Sequence, residues 1–135
     1  MKDVFVFDNV ELAWAELHKL NKFSGKYQVK LVNLSDKQVA KLESLGIPTH
    51  NDPVKKPDEG TYIVCKSQYP IRAFHQGNEL SPEVLVSNGS KARVTLGSYP
   101  WKLDPSKASA SIKNLDIIEL IEYNAEGSDE GLEVL

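Results

Sequence analysis

SNGSKARVTLGSYPW, residues 87–101, decides how this chain is read: a turn, then a strand, then two aromatic rings at its end. Side chains alternate across a strand, so Ala92, Val94 and Leu96 fall on one face and Lys91, Arg93 and Thr95 on the other. The apolar set belongs to a core. Carrying the two-residue period past Gly97 adds Tyr99 and Trp101 to the cationic face, unless Pro100, which cannot donate to a ladder, breaks the register. Cations that follow phosphates, beside rings that stack on bases, are the chemistry that holds an unpaired nucleic-acid strand. The same pattern also suits a half-buried strand with solvated charges and a core tryptophan, and the stretch alone leaves both open.

Working outward, residues 61–68 read as a strand with Ile63 and Cys65 on the core side and Tyr62, Val64 and Lys66 opposite. Tyr69-Pro70 interrupts it, residues 71–75 resume it, and Gln76-Gly77-Asn78 makes a turn. Residues 48–60, PTHNDPVKKPDEG, hold three prolines and no periodicity and are expected to be a loop, with Lys55 and Lys56 within reach of a phosphate. Before it, Ser35 and Gln38 have capping-box spacing, Leu34 and Val39 form the matching staple, and Gly46 followed by Ile47-Pro48 supplies the stop. A helix is expected over residues 36–45. Residues 26–32 are a strand with Tyr27, Val29 and Leu31 inward and Lys30 outward, forming a hairpin with an extended segment within residues 4–20. In that first segment we place Ala13, Ala15 and Leu17 inward and Trp14 outward; a helix over residues 10–20 is the rival reading, because Ala, Leu and Glu form helices well. On the far side of the opening stretch, residues 104–111 read as a turn. Residues 112–123 read as a last strand whose alternation is blurred by Ile117 and Ile118, which suggests burial on both sides or a bulge. Two strands, a helix and three further strands make a mainly β chain, and a five-stranded, partly open barrel is the economical way to close it.

The net charge of −3 argues at first against a nucleic-acid partner. Its distribution reverses that. Residues 124–135 hold Glu126, Asp129, Glu130 and Glu133 with no Lys or Arg, so residues 1–123 without them carry +1. Residues 60–113 alone carry +4, with seven cations against Glu79, Glu83 and Asp104. We therefore divide the chain into a domain over residues 1–123 and a flexible acidic tail over residues 124–135. The tail ends in Val134-Leu135, so Glu126, Asp129, Glu130, Glu133 and Leu135 form an acidic and apolar peptide suited to a basic groove on a partner protein.

With 41% hydrophobic and 26% charged residues the composition is globular. No apolar run approaches the roughly 18 residues of a membrane helix, residues 1–10 carry acids where a signal peptide needs an apolar core, and Cys65 is alone. A cytoplasmic protein without a membrane partner is expected. His18, His50, His75 and Cys65 lack metal-ligand spacing, no phosphate-cradling glycine loop or nucleophile elbow appears, and the pair Asp58-Glu59 has no visible partner. No enzyme, metal or cofactor is therefore expected. Two sequons, Asn33-Leu34-Ser35 and Asn88-Gly89-Ser90, are discounted for want of a secretory route.

AWAELHKLNKFSGKYQVKL at residues 13–31, SDKQVAKLESLGI at 35–47, YIVCKSQYPIRAF at 62–74, NGSKARV at 88–94 and IKNLDIIELIEY at 112–123, with the acidic tail, give the chain a resemblance to bacteriophage single-stranded DNA-binding proteins with an oligonucleotide-binding barrel. The helix after the second strand, rather than between the third and fourth, departs from the usual barrel. The resemblance implies sequence-tolerant binding of single-stranded DNA in phage replication, recombination or repair, within the cytoplasm of an infected bacterial cell. It also implies an acidic tail that recruits replication proteins, and a homodimer as one state found among relatives. Only Asn88, Gly89 and Ser90 match as motif positions, with a structural role. Chemistry, rather than any motif, points to the DNA-contact set Trp14, Lys30, Tyr62, Lys66, Arg72, Lys91, Arg93, Tyr99 and Trp101. The alternative is a protein-interaction or assembly barrel in which the same aromatics fill a core or a protein interface.

Overall fold

A computed structural model describes residues 4–20, 24–81 and 84–121. The expected acidic tail, and the domain boundary at residue 123, lie outside the described residues. Eight strands form one sheet: β1 (Val4–Glu16), β2 (Tyr27–Val32), β3 (His50–Asn51), β4 (Thr61–Ser67), β5 (Ala73–His75), β6 (Asn78–Glu79), β7 (Lys91–Pro100) and β8 (Ala108–Glu119). They are ordered β3-β4-β2-β1-β7-β8-β5-β6. Every pairing is antiparallel except β5 with β8. The five long strands are those expected from the sequence, and the one α-helix among the described residues, α1 (Asp36–Ser44), follows β2, as expected. β4 also packs against β8, so the two wings of the sheet meet over one core. Leu12, Val29, Leu31, Leu42, Cys65, Val94, Leu96 and Leu115 are fully buried there.

The helix starts where the sequence places it. Ser35 accepts from the Gln38 amide and Gln38 reaches back to the Ser35 amide, both arms of the box, a cap worth about 1 kcal/mol. Leu42, wholly buried, fixes the helix to the core, and truncating it to alanine would cost about 2–5 kcal/mol. Gly46 ends the helix at φ +78°, a left-handed conformation that glycine adopts without penalty.

Three readings are corrected. In β1 the inward parity does not run through Ala13: Val10 and Leu12 enter the main core, the register shifts between Ala13 and Glu16, and Ala15 and Leu17 pack inward beyond the shift. Ala13 is buried on the other face, with Val32 and Tyr62. Trp14, at φ 49°, is the residue that absorbs the extra step, so a bulge switches the phase that the sequence could only average. In β8 the strand begins at Ala108, inside the expected turn, because Asp104 caps a tighter one by accepting from the Ser106 amide and hydroxyl. Ile117 is buried and Ile118 exposed, and the register with β7 shifts between Ile117 and Glu119, so of the two explanations expected for the blur the bulge is the one found and burial on both sides is not. Finally, residues 48–60 are not structureless. β3 pairs with β4, a 3-10 turn spans Pro57–Glu59, and the Glu59 carbonyl accepts from the Asn33 amide at 2.8 Å.

Candidate nucleic-acid interface

The outer face of β2 and β4, opposite the core, leads into a groove of about 540 Å³ at the end of the β7–β8 hairpin. Val64 and Lys66 of β4, Lys26, His50, Tyr99, Trp101 and Lys107 line it over a floor that includes Ile47, Ala108 and Ala110. The hairpin is held from both sides. Tyr99 pairs with Ser109, the Trp101 amide donates to the Lys107 carbonyl at 2.9 Å, and the Ala108 amide donates to the Gly46 carbonyl at 2.9 Å. Pro100 ends the strand without breaking its phase, so Tyr99 and Trp101 do share a side, 38% and 39% exposed. The Trp101 indole N–H donates to Ser109 Oγ at 2.8 Å, and Lys107 Nζ stands 5.6 Å from the ring centroid. These contacts fix the ring's plane while leaving part of it open to a base.

Among the described residues no carboxylate lines this groove. Among the described residues the ion pairs are Lys30–Glu59, Arg72–Glu79 and Arg93–Asp8, so Lys26, Lys66 and Lys107 stand outside any of them, although the charge of Lys107 reaches the Asp104 carboxylate. Three cations outside any ion pair, beside two open rings, make a site for a polyanion with aromatic bases.

The rest of the sequence-chosen set is scattered around this groove. Lys66, Tyr99 and Trp101 are brought together. Trp14, 58% exposed, and Lys30 stand in an adjoining cleft of about 820 Å³ under residues 55–59. There the Lys30 ammonium lies 4.5 Å over the Tyr62 ring and is paired with Glu59 at 2.8 Å, which supplies the partner that the sequence did not reveal for this acid. Burial pushes the Glu59 carboxyl up, but hydrogen bonds from Lys30 and Trp14 and the charges of Lys30 and Lys56 outweigh it and hold the group below its ordinary value. Tyr62 is the one ring of the four that is buried. Arg72 makes a bidentate pair with Glu79 and lies 5.4 Å from the Phe74 ring. Lys91 and Arg93 occupy the opposite end of β7, eight and six residues before Tyr99, or about 20–26 Å along the strand. Acids neighbour them: Glu11 and Glu119 face Lys91, while Asp116 faces Arg93 and Asp8 lies 3.8 Å from it.

Lys26, His50 and Lys107 escaped the sequence reading. Lys107 was detectable only with the hairpin closed at Asp104, which sets it opposite Trp101; His50 needed the two-residue strand that places its ring 5.6 Å from that of Tyr62.

The Asn88-Gly89-Ser90 turn has the structural role expected. Gly89, at φ +95°, donates to the Leu12 carbonyl, and the Leu12 amide donates to the Ser90 carbonyl. Asn88 Oδ1 accepts from the Trp14 amide at 2.7 Å and so holds the bulge of β1 in place. Ser90 is fully buried, its hydroxyl bonded to the Ile121 amide and carbonyl.

No protein-family model and no curated protein sequence matches the chain. Solved structures do. The chain is similar over 100% of its length to 96% of gp2.5, a single-stranded DNA-binding protein encoded by bacteriophage T7, at 16% identity and a TM-score of 0.63. The single-stranded DNA-binding protein of bacteriophage Enc34 matches 95% of this chain over 88% of its own, at 12% identity and a TM-score of 0.63. The same Enc34 protein in complex with single-stranded DNA matches with 88% of each chain covered, at 14% identity and a TM-score of 0.61. The chain therefore has the fold of these phage single-stranded DNA-binding proteins, the fold that its sequence motifs imply.

Proposed function

We propose that the protein binds single-stranded DNA without sequence preference along the groove of Lys26, His50, Lys66, Tyr99, Trp101 and Lys107. The observation that carries this reading is a groove with three lysines, two open rings and, among the described residues, no carboxylate. Lysines neutralise phosphates and the rings stack on bases whatever their identity, which yields affinity with little sequence readout. The solved complex of a protein with this fold and single-stranded DNA supports the ligand class. In the same reading the protein serves phage replication, recombination or repair, residues 1–123 form the binding domain, and the acidic residues 124–135 recruit other replication proteins. Support for the tail is the charge division in the sequence. Photo-crosslinking of a bromodeoxyuridine oligonucleotide, followed by peptide mapping, tests the site. Adducts are expected on Tyr99 or Trp101; adducts confined to the Lys91 end of β7 would move the interface elsewhere.

A further inference from the structure

Beside the groove, a second cleft is closed by one of the chain's own carboxylates. Glu59 Oε1 accepts from Lys30 Nζ at 2.8 Å and Glu59 Oε2 from the Trp14 indole N–H at 2.9 Å. The two charged side chains are 11% and 14% exposed. An ammonium and an N–H that converge on two oxygens of one anion would serve the two non-bridging oxygens of a phosphodiester equally well. The surroundings offer a nucleotide a ring and cations among acids: the Trp14 ring is open, Lys55 and Lys56 line the cleft with Lys56 Nζ 5.4 Å from the Tyr62 ring centroid, and Glu11, Glu16 and Asp58 line it too.

The cleft continues the groove. Gln28 and Lys30, which line the cleft, pair across β2 and β4 with Lys66 and Val64, which line the groove. A strand leaving the groove along this face therefore meets Glu59 next. Little has to move to admit it. The Glu59 backbone is anchored by the Asn33 amide, and the neighbouring Asp58 carbonyl accepts from Asn33 Nδ2 at 3.0 Å. Rotation about the Glu59 side-chain bonds would carry its carboxylate out and leave both donors for a phosphate.

We infer that Glu59 is an internal stand-in for a DNA phosphate, and that the Trp14–Lys30 cleft is a second nucleotide subsite which Glu59 gates against strands too short to run on from the groove. The inference rests on the groove reading above. Oligothymidines of about 4 and about 16 nucleotides, which bracket the usual span of such a domain, separate the two. With the full chain carrying 5-fluorotryptophan at its two tryptophans, fluorine NMR should show the short strand moving the Trp101 signal alone and the long strand moving both. E59Q should bind the long strand on the order of tenfold more tightly at 50 mM salt, because no charged hydrogen-bonded pair has to be opened, with its salt slope unchanged, because the wild type makes the same phosphate contact once open. Its affinity for the short strand should not change. E43Q, which removes the same charge from the exposed face of α1, is the control and should leave both affinities unchanged. A Trp14 signal unmoved by a bound long strand overturns the gate, as does E59Q tightening both lengths equally. Failure of the wild-type chain to bind either strand overturns the groove reading itself, a result distinct from loss of the gate.

Discussion

Replacing Trp101 by alanine removes the ring from one wall of the groove, and its effect on binding can be worked out from its surroundings. The ring is 39% exposed and held by Ser109 on its edge and by Lys107 at 5.6 Å, so it is already oriented when a base arrives. Stacking on such a ring is worth about 1–3 kcal/mol per base, which at about 1.4 kcal/mol per decade is a loss of roughly 5- to 150-fold in affinity. W101F keeps a stacking face and loses only the indole bond to Ser109, about 1 kcal/mol, so it should fall within a few-fold of wild type. Fluorescence anisotropy of a labelled oligothymidine at 50 mM salt reads both variants, with urea unfolding run alongside to show that each is folded. A folded W101A that binds within twofold of wild type would refute the stacking role.

Three further outcomes follow from the same geometry. K66A and K107A should each lower the salt slope of DNA binding by about 0.7, whereas K91A and R93A, at the acid-neighboured end of β7, should leave it nearly unchanged in the same titration. G46A should destabilise the fold by about 1–3 kcal/mol in urea, because the position has φ +78° and an added Cβ would lie 2.5 Å from the Ser106 carbonyl oxygen. E59Q should be less stable than wild type at pH 7 by about 1–3 kcal/mol. The folded Glu59 carboxyl is held below its ordinary value, so the wild type's advantage is complete above the unfolded carboxyl value of about 4.3 and vanishes as pH falls below it through the folded value. Urea midpoints at neutral and acid pH check the sign.

What was legible in the sequence was local chemistry and alternation. The capping box of α1, the core faces of β2, β4 and β7, and the Asn88-Gly89-Ser90 turn are short-range patterns, and each is found where its residues imply. The phase of β1 was not legible, since a bulge at Trp14 is set by a turn 74 residues away through Asn88. The same limit applied to the interface. Lys91 and Arg93 share a face with Tyr99 and Trp101 as the sequence promises, yet a ten-residue strand carries the two pairs to its opposite ends. Lys30 looked like a free cation because Glu59, in a loop without periodicity, returns to it only through the fold.

The most direct test is the affinity for oligothymidine against salt, with a duplex of equal length as competitor. Three lysines line the groove, so the logarithm of affinity should fall against the logarithm of salt with a slope of about −2, steeper if the Glu59 gate opens, and the single strand should be preferred. A slope near zero, or equal affinity for the duplex, would contradict single-strand binding in this groove.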